Sequence, residues 1–164
     1  MVERVTVSDI PDTPNPTSHK REVDEAVGAT AFGFNVLEVR PGEQVPWGYH
    51  SHPEHEELFY VVSGTLTVDT EDGPVRANAG DAVFVAAGEK NRAHNAADEP
   101  AEVVAVGAPK DADHAVIEEA CPACGVVGGR EYERVAGDDG PQYVLSCESC
   151  GAETLRFGAG PDDE

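Results

Sequence analysis

The sequence predicts an all-β fold, in which a sandwich or barrel of short antiparallel strands precedes a small unit that a metal ion stabilises. Short runs of β-prone residues recur at close intervals, and turn residues such as Asp72-Gly73 separate them. No long run has the period of a helix. All four cysteines lie in two Cys-x-x-Cys pairs near the C-terminus. These observations predict a β domain followed by a metal-dependent appendage.

The N-terminal part of the chain is expected to be an extended arm over residues 1–30. Prolines between residues 8 and 18 prevent a helix or a central strand there. The β domain then occupies residues 31–110. Its first strand is predicted within 31–40, where apolar residues alternate, and Pro41-Gly42 ends it.

Further strands are predicted along the β domain at 58–62, 65–69, 75–78, 82–86, 92–95 and 102–107. The rest of the chain divides by composition into a linker rich in Ala, Asp and Glu, a cysteine-bearing unit, and a polar tail that is expected to be disordered. The predicted ranges of these three parts are 111–119, 120–157 and 158–164.

The charge balance excludes some partners. Thirty-two acidic residues stand against eleven basic ones, which gives the 164-residue chain a net charge of −21. Proteins that bind nucleic acid normally present a basic surface to the phosphates, and this sequence has no cluster of Lys and Arg. No apolar run reaches the ~20 residues of a membrane span, and the N-terminus shows no secretory signal. We therefore expect a soluble, cytoplasmic protein without a nucleic-acid or membrane partner.

The segment from His50 to Glu57 has the layout of a metal site. In an extended chain His50 and His52 project to the same side, so both can offer an imidazole nitrogen to one ion. Glu57, which begins the next β-prone run, can add a carboxylate oxygen. Mixed shells of this kind suit zinc, iron, manganese or nickel. We expect a divalent transition metal whose identity the sequence leaves open.

These residues resemble the first motif of the cupin superfamily, which reads Gly, five residues, His-x-His, three or four residues, Glu, six residues, Gly. The spacing of His50, His52, Glu57 and Gly64 matches it, whereas seven residues instead of five separate Gly42 from His50. The resemblance implies a double-stranded β-helix, or jelly-roll barrel, with the metal ligands inside.

The second cupin motif reads Gly, five residues, Pro-x-Gly, two residues, His, three residues, Asn. Gly80, Gly88 and Asn95 match it, with Ala86 in place of the proline and Asn91 in place of the histidine ligand. The resemblance therefore puts Asn91 at the fourth position of the metal shell, where an amide oxygen is a weaker donor than imidazole. A metal shell completed by Asn91 or water and a metal-free pocket both remain open.

The pocket that the resemblance implies would hold a small-molecule ligand. Trp47, Tyr49 and Tyr60 are candidates to line it, and core packing is an equal alternative for each. An ion with an open coordination position could polarise a carbonyl or bind oxygen beside a substrate. Two functions follow: a metal-binding cupin without assigned turnover, or a metal-dependent dioxygenase or isomerase for a small polar metabolite. Cupins commonly dimerise, so the resemblance also implies a homodimer.

The second metal site is predicted from Cys121, Cys124, Cys147 and Cys150. Four thiolates bind zinc tetrahedrally, and two-residue spacers let each pair present both sulfurs to one ion. With 22 residues between the pairs, the arrangement resembles a zinc ribbon with a structural zinc ion. A rubredoxin-like iron centre uses the same ligands, and two disulfides are a further alternative that a cytoplasmic location disfavours. The ribbon could also dock a protein partner.

The acidic composition, with only three lysines, resembles that of proteins from salt-loving archaea. Concentrated salt would screen the self-repulsion of such a chain. The combined features resemble haloarchaeal cupin proteins that carry a C-terminal ribbon, and a halophilic protein is expected. An ordinary acidic cytosolic protein is the alternative.

Overall fold

The computed structural model describes residues 1–110 and 115–159. Helical elements in this part of the chain are short: a 3₁₀ turn at Val7–Asp9 and the α-helix α1 (Val23–Val27). No helix among the described residues is long and apolar enough to cross a membrane. The described strands are β1 (His19–Glu22), β2 (Gly33–Val39), β3 (His50–Ser51), β4 (Glu56–Ser63), β5 (Thr65–Thr70), β6 (Gly73–Asn78), β7 (Ala82–Val85), β8 (Asn91–His94), β9 (Ala101–Ala108), β10 (Val116–Ile117), β11 (Glu119–Ala120), β12 (Val127–Gly128), β13 (Arg130–Gly137), β14 (Gly140–Cys147) and β15 (Glu153–Phe157).

Two five-stranded antiparallel sheets form the barrel. One has the strand order β1-β2-β9-β4-β7 and the other has the order β10-β3-β8-β5-β6. The apolar core between them is at most 7% exposed and consists of Leu37, Val39, Phe59, Val61, Leu66, Val68, Ala77, Val85, Ala93, Ala101 and Val103. The predicted all-β jelly roll is confirmed.

Alternation along β4 decides which of its side chains face the barrel interior. Phe59 and Val61 are buried in the core, whereas Leu58 and Tyr60 are exposed at 38% and 44%. Successive residues of a strand point to opposite faces, so Glu57 shares the inner face with Phe59. The apolar pattern that fixes the register of β4 therefore also directs the Glu57 carboxylate inward.

The N-terminal segment, expected as an extended arm, contains regular structure at residues 19–27. Strand β1 pairs antiparallel with β2, with His19 opposite Glu38, and α1 follows. Ser18 anchors the entry to this strand, because its hydroxyl donates to Glu43 Oε1 at 2.6 Å and its backbone N–H donates to Glu43 Oε2 at 2.8 Å. The prolines end before β1 begins, so they do not prevent this pairing.

The predicted linker also contains strands. Residues 111–114 lie outside the described residues, and β10 follows them. Val116 pairs with Ser51 and Ile117 pairs with His50, so β10 becomes the edge strand beside β3. The β-branched side chains of these two residues favour the extended conformation.

Strands β11 to β15 form what we call the C-terminal unit, residues 119–159. Its centre is the antiparallel sheet β13-β14-β15, and β11 pairs with β12. Gly125 and Gly151 follow the two Cys-x-x-Cys pairs, and their φ angles of 73° and 71° lie in the region that favours glycine. Each glycine N–H donates to the carbonyl of the first cysteine of its pair at 2.8 Å. Residues 160–164 of the predicted disordered tail lie outside the described residues.

Candidate functional site

His50 and His52 converge inside the barrel. His50 begins β3 and is 4% exposed, and His52 follows this short strand. Their Nε2 atoms lie 3.1 Å apart, and the two rings are nearly perpendicular, with centroids 4.8 Å apart. The His-x-His spacing therefore places two imidazole nitrogens at one point, as the sequence predicts.

Glu57 completes a cluster of three groups that could hold a metal ion. Its Oε1 lies 3.5 Å from His52 Nε2 and its Oε2 lies 3.8 Å from His50 Nε2. One ligand atom from each of the three residues lies within 4.8 Å of the other two. We call this cluster the barrel centre.

The hydrogen bonds of His50 prepare its ring for metal binding. Its Nδ1 lies 3.0 Å from the carbonyl oxygen of Asn91 and 3.2 Å from that of Gly48. Carbonyl oxygens only accept hydrogen bonds, so the proton of the neutral ring belongs on Nδ1. The lone pair is then on Nε2, which faces His52 and Glu57. Histidines that bind a metal through one ring nitrogen usually donate a hydrogen bond from the other, as His50 does here.

The electrostatic environment favours neutral imidazole beside an ionised carboxylate. Burial lowers the pKa of His50, because the charged ring would lose its hydration. Burial alone would raise the pKa of Glu57, but the hydrogen bond from His52 and the interactions with His50 and Asn91 hold it below its usual value. Neutral nitrogen and anionic oxygen are the forms that bind divalent transition metals.

Asn91 lies at the barrel centre but contacts it through its amide nitrogen. It is 1% exposed and pairs with His50 across β3 and β8. Its Nδ2 donates to Glu57 Oε2 at 3.2 Å, and its Oδ1 is buried without a hydrogen-bond partner among the described residues. The predicted role of Asn91 as a metal ligand remains a prediction, and the contact that the structure shows is with Glu57.

Two further histidines lie outside the cluster. His94 is on the opposite side of β8 from Asn91, as the regular alternation of the strand predicts, and its Nε2 lies 3.3 Å from Asp69 Oδ2. The ring of His55 lies 4.7 Å from that of His52, and its Nδ1 donates to the carbonyl of Pro109 at 3.0 Å.

The barrel centre fits a transition-metal ion. Two imidazole nitrogens that bind one ion at about 2.1 Å and at right angles lie about 3.0 Å apart, and the observed separation is 3.1 Å. The unpaired, buried Oδ1 of Asn91 is a further oxygen beside this point. Two nitrogens and carboxylate or amide oxygens are a donor set for zinc, iron, manganese or nickel.

The four cysteines form a second cluster in which the sulfur atoms lie within 4.8 Å of one another. Cys121 Sγ lies 3.8 Å from Cys150 Sγ, and Cys124 Sγ lies 3.9 Å from Cys147 Sγ. A tetrahedral zinc site with bonds of about 2.3 Å has sulfur separations of about 3.8 Å. Disulfide sulfurs would be about 2.05 Å apart, so the four sulfurs are spaced as a group that could hold a metal ion.

Backbone N–H groups in the two cysteine turns favour the thiolate form of the first cysteine of each pair. The N–H groups of Cys124 and Ala123 lower the pKa of Cys121 to about 6. Those of Ser149 and Cys150 lower the pKa of Cys147 in the same way. The turns that the glycines permit therefore also stabilise the charge of the first sulfur in each pair.

A cavity of about 670 Å³ opens onto the barrel centre. Of the three residues that the sequence suggested for a ligand pocket, Trp47 is among the lining residues of this cavity, whereas Tyr49 and Tyr60 are not. The physical reason is strand alternation: Tyr60 follows the inward Phe59 and faces outward, and Tyr49 precedes the inward His50.

Sequence reasoning missed several residues of the cavity wall. Lys20 lines the cavity from β1, and Arg130 and Tyr132 line it from β13 in the C-terminal unit. The strand β1 has the polar sequence His-Lys-Arg-Glu, which carries no apolar alternation. No local signal relates β13 to the barrel, because their contact is tertiary.

Comparison with known proteins identifies the class of the barrel. Residues 35–107 match the family described as Cupin domain. The two-sheet jelly roll and the inward His-His-Glu cluster agree with this match and support a cupin double-stranded β-helix for the segment.

Two curated relatives match about half of the chain. The tetracenomycin polyketide synthase protein TcmJ of Streptomyces glaucescens is 35% identical over 79 residues, which are 48% of this chain and 52% of TcmJ. The polyketide synthase CurC of Streptomyces cyaneus is 39% identical over 80 residues, 48% of this chain and 49% of CurC. The chain thus spans about half the length of the curated relatives it matches.

A solved structure shares a larger part of the fold. The sugar phosphate isomerase from a cupin superfamily of Silicibacter pomeroyi has a TM-score of 0.64 at 18% identity, over 93% of this chain and 97% of that chain. At this identity the likeness concerns the fold alone. Because so much of the chain is covered, the likeness extends beyond residues 35–107 into the C-terminal unit.

Proposed function

We propose that this protein binds a divalent transition metal in its cupin barrel through His50, His52 and Glu57, and a small molecule in the cavity above the ion. The observation that carries the proposal is the convergence of two Nε2 atoms and a carboxylate at the end of a 670 Å³ cavity. Cavities of about 300–1,000 Å³ suit small-molecule ligands. We assign no turnover to this site.

Asn91 has a separate role in this proposal. Its Nδ2 contact holds the Glu57 carboxylate in place, and Asn91 or water completes the metal shell. Partners that orient a ligand in this way affect metal affinity by about 10- to 100-fold.

The cysteine cluster serves in the proposal as the structural zinc site of a ribbon at residues 120–157. Structural zinc sites are closed by four protein ligands, and the four sulfurs supply such a set. A unit of this size buries too little apolar surface to be stable without such support. The homodimer, a protein partner of the ribbon and the halophilic character stay predictions.

A metal-dependent enzyme is the second candidate, and the relatives favour it. Both curated relatives are named as polyketide synthase proteins, and the solved structure is named as a sugar phosphate isomerase. A divalent ion at the barrel centre would supply Lewis acidity for a carbonyl oxygen. The residues of this chain would orient the substrate in the cavity, and its apolar side chains, such as Leu37 and Phe59, would exclude water around it.

Elemental analysis tests the proposal. Protein prepared in high salt without added metal should carry about two ions per chain, and a His50→Ala/His52→Ala variant should carry one. A His94→Ala variant removes a histidine that lies outside the cluster and should retain both ions. If the wild type and the double variant both carry one ion, the barrel centre holds no metal and the proposal is wrong.

A further inference from the structure

The cavity has one wall from the barrel and another from the C-terminal unit. The barrel contributes apolar side chains such as Leu37 and Phe59, together with the barrel centre. The C-terminal unit contributes Arg130, Tyr132 and Glu148. A ligand that fills the cavity from the barrel centre outward must therefore meet side chains of the cysteine-bearing unit.

An aromatic cluster joins the two walls. The Trp47 ring lies 5.4 Å from Tyr132, 5.2 Å from Tyr143 and 5.1 Å from Phe157, measured between ring centroids. Within this cluster Trp47 and Tyr132 line the cavity, whereas Tyr143 and Phe157 are not among its lining residues. Tyr132 is 64% exposed, so much of its ring is available to a ligand.

A hydrogen-bonded bridge fixes the position of this wall. Glu119 Oε2 accepts from the backbone N–H of Tyr49 at 3.0 Å, and Glu119 Oε1 accepts from Arg130 Nη2 at 3.3 Å. The Arg130 side chain is 1% exposed and also donates to the carbonyls of the two preceding residues at 3.0 and 3.1 Å. Arg130 is therefore a positioning residue that ties β13 to the barrel through Glu119.

The charges around the cavity disfavour an anionic ligand. Among the described residues that line it, Lys20 and Arg130 are the cationic side chains. Lys20 Nζ already pairs with Glu22 Oε1 at 2.6 Å, and Arg130 is committed to the bridge. The exposed carboxylate of Glu148 lines the C-terminal wall. A phosphate or sulfonate at this wall, away from the barrel centre, would meet a like charge, and the described residues of the wall offer it no uncommitted cationic side chain.

We propose that the C-terminal unit selects the ligand of the barrel centre, admitting flat molecules that bind the ion through oxygen donors, carry no further anionic group and contact Trp47 and Tyr132, and rejecting molecules with an additional anionic group. This inference rests on the proposed function, since the oxygen donor needs a metal ion. Tyr132 and Glu148 are the specificity-determining residues, the first through ring contact and the second through charge.

Three catechol probes with the same metal-binding oxygens test the inference by calorimetric titration of the full metal-loaded chain at fixed salt. The probe 4-nitrocatechol is short, alizarin extends the catechol into three flat rings, and tiron is a short catechol with two sulfonates. Wild type should bind alizarin most tightly and tiron about tenfold or more weakly than 4-nitrocatechol. Metal content measured after each titration shows whether a probe has removed the ion.

Matched variants locate the contact. Tyr132→Leu should weaken the binding of alizarin about fivefold, which corresponds to the loss of one aromatic contact. The affinity for 4-nitrocatechol should stay unchanged. Tyr143 belongs to the same aromatic cluster but does not line the cavity, so Tyr143→Leu should not change the affinity for alizarin or for 4-nitrocatechol. Glu148→Gln removes the negative charge and should reduce the difference in affinity between 4-nitrocatechol and tiron. Zinc content of the cysteine site checks that each variant is folded.

The outcomes separate the inference from the proposed function. If the barrel centre carries no ion, both fail. If the ion is present but no probe binds, or Tyr132→Leu weakens both catechols equally or neither, the inference alone is overturned. Equal binding of tiron and 4-nitrocatechol to wild type overturns the selection against anions.

Discussion

The barrel centre and the cysteine cluster differ in how their ligands are held. His50 and Asn91 belong to strands of a packed barrel whose core side chains are at most 7% exposed, so the barrel can place the ligands before an ion binds. The cysteines occupy turns of a small unit whose buried apolar side chains are Val144, Leu145 and Phe157. We propose that burial of the core holds the ligands of the first site and that a metal ion stabilises the second.

The two clusters also differ in how open they are to a ligand. The barrel centre has three candidate ligands and opens onto a cavity, which leaves room for an exchangeable group. The cysteine cluster has four ligands of one kind and fits a closed tetrahedral shell. Loss of the ion should therefore cost ligand binding in the barrel and folding in the C-terminal unit.

The largest expected effect comes from Cys147→Ala. Structural zinc contributes about 10–16 kcal/mol of folding free energy in small zinc domains, so the C-terminal unit should unfold while the barrel persists. Trp47 is the only tryptophan of the chain and packs on three rings of this unit, so its fluorescence should shift to longer wavelength. Ser149→Ala changes the same turn without removing a sulfur and should leave the spectrum unchanged.

An intact Trp47 spectrum in Cys147→Ala would contradict this division. It would mean that the packing of Trp47 on the C-terminal unit does not depend on the cysteine cluster. The proposal that a metal ion at the cysteines stabilises the C-terminal unit would then be wrong.

The attachment of the N-terminal segment to the barrel predicts a smaller effect that is independent of metal. Asp24 is 4% exposed, and its Oδ2 lies 2.8 Å from Lys110 Nζ. Burial would raise the pKa of Asp24, but the hydrogen bond and charge of Lys110 hold it below its usual value of 3.8. Asp24→Asn should lower the melting temperature by several degrees, equally with and without a chelator.

The sign of the pH effect follows from this lowered pKa. Because Asp24 binds its proton less readily in the folded state, its contribution is present above pH 3.8 and is lost as the pH falls through the folded pKa. The melting temperatures of wild type and Asp24→Asn should therefore begin to converge as the pH falls below 3.8 towards the folded pKa of Asp24. A gap that stays constant to lower pH would contradict the assignment to this ion pair.

The smallest of these effects concerns Asn91. Asn91→Ala removes the donor to Glu57 and should weaken metal binding at the barrel centre by about 10- to 100-fold while the zinc content stays unchanged. Competition with a chelator of known affinity measures this change. Asn78→Ala, which removes an exposed asparagine of β6, is the matched control. Equal affinity in both variants would show that Asn91 neither orients Glu57 nor binds the ion.

Features that depend on local spacing could be predicted from the sequence. The His-x-His pair, the carboxylate at the start of β4 and the cysteine turns each follow from strand alternation or turn geometry within a few residues. The same alternation argues against the prediction of Tyr60 as a pocket residue, because Tyr60 lies three residues after the inward Glu57 and therefore faces outward.

Features that depend on distant contacts could not be predicted. Strand β1 is polar, and its strand conformation comes from pairing with β2. Strand β10 lies in a segment that reads as a linker and is stabilised by pairing with β3. Tyr132 reaches the cavity only because the C-terminal unit packs on Trp47. These tertiary contacts leave no local pattern in the sequence.

The rate of metal release tests the contrast between the two sites most directly. With excess chromophoric chelator, wild type should release two ions per chain in two phases, a fast phase from the open barrel centre and a slow phase from the closed cysteine cluster. The His50→Ala/His52→Ala variant should lose the fast phase and keep the slow one. A single phase of one ion in wild type, or an unchanged fast phase in the variant, would contradict the account.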